Sequence, residues 1–587
     1  MASFQLSFRD NPNGSIAVHD HAADTASSDN ENQHAEGLNS NVVAHVHAAG
    51  DASSDNKDEP AEEAKYSNPA NGHFPPQPDN GPPIDLIKEQ RGKVKWVSGY
   101  SSFPYSVWAE DINVAAIRDV VAAQIHHIGL DKDDFEVEYF AEGSFNKLYT
   151  VRKASQPPDT GPEYIFRVCL PVHPWYKLES EVATMELVHM YTNIPVPKVY
   201  VYDSDSDNPV RYEWMMMDKM KGTPFLEARE AMNMEQKMKL ARTVADWMHQ
   251  LSTLRFDKIG SIYRGRTKPA TSKTDFKVGP IVDQTFMRDW RLEYKLHRGP
   301  YTSIEQYLRA LIDVNLAEVI DPRQKQRFEF HAAREELDWL TSNADDCSDS
   351  DKKKLIMKAQ APWTSQPPEA KPARIKQLLE HVDLYNVRHD YDTETVIHER
   401  GNYSLFDVRG NRRPDPTPVK AAQCQALLFA VPHLSPAESL SPSSTVLHHG
   451  DVSVNNVLVD PATGDAIALV DWEQAQALPY ALIDPIPSAL YDKYDMTSPP
   501  RKPPPTAPEV MHETYEVKYE FYVNSLMRKE FRQRLEDLGS PYLETFEDKD
   551  SELKHLLELA NYAEAPFIKG DVKKLVEKLE KEIGRGF

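Results

Sequence analysis

Apolar and polar positions change their spacing along the chain, and each change marks an element. From 134 to 153, DFEVEYFAEGSFNKLYTVRK gives two extended runs that meet at Glu142, Gly143 and Ser144, the pattern of a β-hairpin with a glycine turn. EYIFRVCL at 163–170 reads as a third strand. The spacing then turns helical: KLESEVATMELVHMY at 177–191 puts Leu178, Val182, Met185 and Val188 or His189 on one face. NIPVP at 193–197 ends that helix, and KVYVYDS and RYEWMMMDKM supply two more strands across an Asp-rich turn. With a helix over 111–128 ahead of them, the predicted order is helix, hairpin, strand, helix, two strands.

Past Gly222 the pattern is helical. MEQKMKLARTVADWMHQLSTL is apolar at Met234, Met238, Ala241, Ala245 and Met248, a stripe that buries against other helices. TSNADDCSDSDKKK and the Pro-containing run after it read as a polar insertion near 341–372, DMTSPPRKPPPTAP at 496–508 as a loop, and the remainder as helices rich in Glu and Lys. A chain of 587 residues exceeds one ordinary core. The expected division is a disordered acidic tail over 1–95, with order starting near Trp96, a small domain over 96–222, a helical one over 223–500 and a helical extension over 501–587.

The tail contains an imperfect duplication, HDHAADTASSDN at 19–30 returning as HVHAAGDASSDN at 45–56. Its few apolar side chains give a stacked repeat no core, and its paired histidines (His19 with His21, His45 with His47) lack a scaffold to fix a metal geometry. The formal charge of −24 is concentrated here: residues 1–90 carry 15 acidic and 4 basic side chains, a net −11 that leaves −13 for the other 497 residues. So mild an acidity, without clustered Lys and Arg, speaks against nucleic-acid binding. Three scattered cysteines, Cys169, Cys347 and Cys424, make neither a disulfide framework nor a zinc site. With no apolar run of membrane-spanning length and no signal-peptide core, the expected location is cytoplasmic, away from membranes.

The chemistry gathers at HHGDVSVNNVLVD, 448–460. Phosphoryl transfer needs a group to orient and accept the proton of an attacking hydroxyl, oxygen ligands for Mg²⁺ and a cation on the nucleotide phosphates. Asp451 and Asn456 have the spacing of a kinase catalytic loop. NVLVD and AIALVDWE, joined by PATGD with Gly464 in the turn, form a hairpin that returns Asp471 to the side of Asn456. An Asx-type loop with a strand-ending aspartate is the bland alternative.

These segments resemble the aminoglycoside phosphotransferase and choline kinase-like family over about residues 135–490. HHGDVSVNNVLVD is similar to its His-Gly-Asp loop, and LVDWE to the segment where protein kinases carry Asp-Phe-Gly. The resemblance implies an α+β, protein kinase-like two-lobe fold, with a small five-stranded antiparallel sheet lobe and a larger, mainly helical lobe. It implies ATP and Mg²⁺ as cofactors, Asp451 as catalytic base, and Asn456 and Asp471 as Mg²⁺ ligands. Gly143 and Ser144 match the nucleotide-positioning turn. Arg167 stands where the family's phosphate-binding lysine lies, a departure that keeps the charge but changes the geometry. Glu181 matches its helix partner, with Glu179 as the fallback. WMMMDKMKG matches the hinge: Met217 guards the adenine pocket, and the Asp218 carbonyl and Met220 N–H face the adenine edge. His449 matches a structural loop position.

The implied function is transfer of the γ-phosphoryl group of Mg-ATP to a hydroxyl of a small molecule held by about residues 276–330 and 475–587, where Glu473 could greet a cationic acceptor. The alternative is a catalytically degraded, pseudokinase-like nucleotide-binding or scaffolding protein, suggested by Arg167 and the long acidic tail. A protein kinase is disfavoured because no Ala-Pro-Glu-like segment follows Asp-Trp-Glu.

Overall fold

The computed structural model describes residues 85–98, 104–158, 160–265, 272–324, 417–436, 439–491, 494–547, 551–565 and 568–583. The duplicated tail, the 341–372 insertion and Cys347 lie outside the described residues. The described residues open with helix α1 (Leu86–Lys93), which lies ahead of the order expected near Trp96 and is capped by Asp85, whose carboxylate accepts from the Ile87 and Lys88 amides. Antiparallel strands β1 (Val94–Ser98) and β2 (Pro104–Trp108), also unforeseen, follow before helix α2 (Val114–Gln124).

The expected five-stranded sheet is present. It consists of β3 (Glu136–Glu142), β4 (Asn146–Arg152), β5 (Glu163–Cys169), β6 (Val199–Asp203) and β7 (Glu213–Asp218), antiparallel throughout in the order β3-β4-β5-β7-β6. The β-branched and aromatic residues of β5 suit a central position, and Ile165, Phe166 and Val168 are all buried. Met215 and Met217 face the core that holds Leu178 and Val182, while Met216 faces Phe166 and Trp214 on the other side, the alternation a strand imposes.

Helix α3 (Tyr176–Tyr191) connects β5 to β6. Its expected face is buried at Leu178, Val182, Met185 and Val188, with His189 exposed, but burial extends round the helix to Lys177, Glu179, Ser180, Glu181 and Thr184. Ionisable groups so placed must be paired or neutralised, which decides the chemistry below.

Beyond β7 the backbone passes Gly222, whose φ of +103° is open to glycine and where a Cβ would meet Val459 O at 3.1 Å. Strand β8 (Thr223–Pro224) then pairs with Val457–Val459, tying the sheet's exit to the hairpin of Val457–Val459 and Ala466–Leu469. Helix α4 (Phe225–Ala228) leads to α5 (Met234–Thr253), whose buried stripe runs Leu240, Ala241, Val244, Ala245, Met248 and Leu251. The 29-residue helix Glu509–Asp537 packs on α5 through Val523, Met527, Phe531 and Leu535, with Arg534 Nε 2.8 Å from Asp246 Oδ1. No helix among the described residues is long and apolar enough to cross a membrane.

Candidate active site

The 457–469 hairpin is short, and its turn fits because Gly464 adopts φ +73° with its Cα against α5: a Cβ there would lie 2.5 Å from Gln236 Cβ. Gln236 also completes the capping box of α5 with Asn233 and donates from Nε2 to Ala462 O at 2.9 Å, so the helix start and the turn lock together. On the return strand the Val470 amide donates to Asn456 O at 3.0 Å, so the residues on either side of the hairpin's open end are adjacent.

Asp451 and Asn456 are in direct contact. Asn456 Nδ2 donates to Asp451 Oδ2 at 2.9 Å and to Asp451 O at 3.0 Å, while Ser488 Oγ lies 3.4 Å from Asp451 Oδ1. The Ala489 amide donates to Val452 O at 2.7 Å, holding the segment that carries Ser488 against the loop. Asn456 Oδ1 and the Asp471 carboxylate are hard oxygen donors of the kind Mg²⁺ takes. Asp471 has φ +68°, the left-handed region, and its carboxyl is raised well above the ordinary range: burial withdraws it from water, and Glu473, Glu181 and Asp451 repel its charge, which only partly yields to Arg167. Carboxylates crowded in this way are relieved by a bound cation, so the residues fit a metal. Among the described residues no group of three or more His, Cys, Asp or Glu side chains gathers as a metal site by itself.

His449 is fully buried, its Nε2 3.1 Å from Val470 O and its Nδ1 accepting the Asp451 amide at 3.3 Å. These partners require the tautomer protonated at Nε2. Burial, aided by His448, pushes its pKa down to about 3, so it is neutral near pH 7 and positions the loop, as expected of a structural residue.

Arg167, on β5, reaches α3. Its Nη1 donates to Glu181 Oε1 at 2.8 Å and its Nη2 pairs with Glu181 Oε2, a two-pronged contact between buried groups. Glu181, not Glu179, is therefore the partner. Glu179 instead accepts from Ser204 Oγ at 2.6 Å and Tyr202 OH at 3.2 Å, and burial raises it to about 7.

Glu473 contradicts its expected place at the acceptor. It is buried; its Oε2 takes Lys177 Nζ at 2.8 Å and Asn146 Nδ2 at 3.0 Å, while Lys177 Nζ also reaches Asn146 Oδ1 at 3.3 Å. Burial lowers the Lys177 pKa, but Glu473 more than restores it, so the ammonium persists. Sequence reading missed Lys177 and Asn146. One cue existed: Lys177 precedes Glu181 by four residues, one turn along the same helix face.

Gly143 and Ser144 lie in the loop between β3 and β4, closed by the Gly143 amide donating to Asn146 O at 2.9 Å. The backbone at Gly143 is not left-handed, and a Cβ there would meet nothing within 4 Å, so the glycine leaves open space rather than relieving strain. Met217 is buried. Asp218 ends β7 with its side chain accepting from Tyr200 OH at 2.8 Å, and Met220 follows in the half-buried connection to β8.

No family model matches the chain. It is 24% identical over 363 residues to a subtelomeric hrmA-associated cluster protein of Aspergillus fumigatus, covering 59% of this chain and 58% of that protein, so the chain spans under two thirds of this relative's length. It is 23% identical over 533 residues to altered inheritance of mitochondria protein 9, mitochondrial, of Saccharomyces cerevisiae, covering 81% of this chain and 75% of that protein. The cytoplasmic expectation is corrected by this relative, whose name places it in mitochondria. Among solved structures, the GDP complex of an aminoglycoside 2′-phosphotransferase-IIIa mutant matches with a TM-score of 0.30 and 12% identity over 80% of this chain and 98% of that one. Choline kinase from Cryptosporidium parvum matches with a TM-score of 0.28 and 13% identity over 79% and 90%.

Proposed function

We propose that this chain is a phosphotransferase that moves the γ-phosphoryl group of ATP to a hydroxyl of a small molecule. The observation that carries the reading is the contact of Asp451 with Asn456 beside Asp471 at the open end of one hairpin. In this reading Asp451, oriented by Asn456 and Ser488, accepts the proton of the acceptor hydroxyl as its oxygen attacks phosphorus and ADP leaves. Asn456 and Asp471 hold Mg²⁺, which when bound offsets charge on the phosphate oxygens. The Arg167–Glu181 pair faces the phosphates, as does the Ser144 backbone amide in the loop that the Gly143 amide closes on Asn146 O. Met217 closes the adenine pocket, whose edge meets the Asp218 carbonyl and the Met220 amide.

The chain then works as a nucleotide lobe over about 96–222, with α1 as an added brace, and a catalytic lobe over 223–500 carrying the 501–587 extension. The name of the yeast relative supports a mitochondrial setting. ADP release from Mg-ATP, screened against amino-sugars and amino-alcohols first, tests the proposal: acceptor-dependent ADP release lost in Asp451→Asn supports it, and no ADP release with any acceptor contradicts it.

One observation favours a second reading, a nucleotide-binding protein without turnover: both terminal nitrogens of Arg167 are engaged by Glu181, whereas a lysine presents a single compact charge to pair and phosphate together. Mg-dependent nucleotide binding without ADP release in the presence of any acceptor would decide for it.

A further inference from the structure

Lys177 has no part in the chemistry above, yet it is a lysine without exposed surface. Its contacts join three separate pieces of the chain. Asn146 opens β4 just after the Gly143–Ser144 loop, Lys177 sits in the first turn of α3, and Glu473 stands two residues beyond Asp471. All three meet at Glu473 Oε2, within 2.8 Å of the lysine and 3.0 Å of the asparagine amide. One helical turn away, Glu181 holds Arg167. Each of the two ion pairs balances its own charge, and among the described residues Asp471 makes no ion pair.

We infer that Lys177, Asn146 and Glu473 form a latch that sets the Gly143–Ser144 loop and the Asp471 backbone at a fixed separation, the separation a metal–nucleotide complex needs; this rests on the phosphotransferase reading. Asp471 at φ +68° is in a conformation that an L-residue keeps only where its surroundings hold it. The surroundings here are the Trp472 indole, donating to Leu469 O at 3.0 Å, and the Glu473 carboxylate on Lys177. The same lysine and carboxylate grip Asn146, whose carbonyl receives the Gly143 amide that closes the loop. Position is thus passed from the Asp471 strand to the loop through the buried Lys177–Glu473 pair and the half-buried Asn146, with no exposed side chain intervening. Lys177 is a positioning residue, since it touches neither reactant.

Hydrogen exchange on the full chain without nucleotide tests the latch, with the Gly143 amide as reporter. Lys177→Met, Glu473→Gln and the paired Lys177→Met/Glu473→Leu are each expected to speed its exchange about tenfold or more, whereas Arg534→Met, which breaks a remote ion pair, leaves it unchanged. Should a single variant fail to fold, the paired variant leaves no buried unpaired charge and carries the test. The second readout is the Kd of a non-hydrolysable ATP analogue: the paired variant should bind about tenfold more weakly with Mg²⁺ and nearly as the wild type without it. Unchanged exchange in the paired variant overturns the latch, as does unchanged Mg²⁺-dependent affinity beside faster exchange. Faster exchange in the variants of a protein whose wild type binds no nucleotide would leave the coupling of these segments standing and remove the phosphotransferase reading instead.

Discussion

Glu213 opens β7 with almost no exposed surface, its Oε1 accepting the Trp175 amide at 2.7 Å and its Oε2 meeting no hydrogen-bonding group among the described residues. Burial pushes its carboxyl from 4.5 up to about 8, against the pull of the Trp175 amide and of Lys177. The folded protein therefore keeps a proton between about pH 4.5 and 8 that the unfolded chain releases, so stability falls as pH rises through that window, by up to about 1.4 kcal/mol per unit. It is fully present below the unfolded value and gone above the folded one. Glu213→Gln keeps an oxygen for the Trp175 amide and cannot ionise. The full shift corresponds to about 5 kcal/mol; allowing for local relaxation around a charged carboxylate, the variant is expected to be more stable than the wild type by about 2 kcal/mol at pH 8.5 and equal to it near pH 5. Urea unfolding at half-unit steps from pH 5 to 8.5 measures this, and Glu179, raised to about 7, leaves a residual slope in both proteins. Parallel stability curves across the window would refute the reasoning, because they would mean that Glu213 ionises as easily folded as unfolded.

The other expectations follow from single contacts. Glu181→Leu strands the buried Arg167 and is expected to lose about 3–5 kcal/mol in denaturant unfolding, most of it regained in Arg167→Leu/Glu181→Leu. Asp451→Asn is expected to lower kcat by about 10²–10⁴-fold while the Kd of the nucleotide, measured by calorimetry, stays near the wild-type value. Gly464→Ala drives a Cβ into Gln236 from a left-handed backbone, and thermal unfolding should report a loss of about 2–4 kcal/mol.

What could be read from the sequence was whatever has a local period or a local motif. The β3–β4 hairpin, β5 and α3 announce themselves by spacing, and the Asp451, Asn456 and Asp471 juxtaposition follows from a hairpin of readable length. Glu181 as the partner of Arg167 came from the resemblance of the two segments to the family's strand and helix, not from local pattern, which left Glu179 open. Helix α1 was missed because it is polar almost all round: its one buried residue, Gln90, is held by Val172 O and Met287 O, both at 2.7 Å, from distant parts of the chain. Lys177 and Glu473 are 296 residues apart, and no window along the sequence contains both. Glu473 was offered to a cationic acceptor for its charge, with a solvated surface as the plain alternative, and both presume an accessible carboxylate where a buried cation is in fact waiting.

The measurement that bears most directly on the nucleotide site is thermal unfolding of the wild type and Asp471→Asn with ATP, with and without Mg²⁺. A ligand at about a hundred times its Kd adds roughly 2.7 kcal/mol to the folded state. A Mg²⁺-dependent rise in the wild type that is lost in Asp471→Asn is the expected result. No rise with ATP under either condition, or an equal rise in both proteins, would contradict the placement of the nucleotide and its metal at the end of this hairpin.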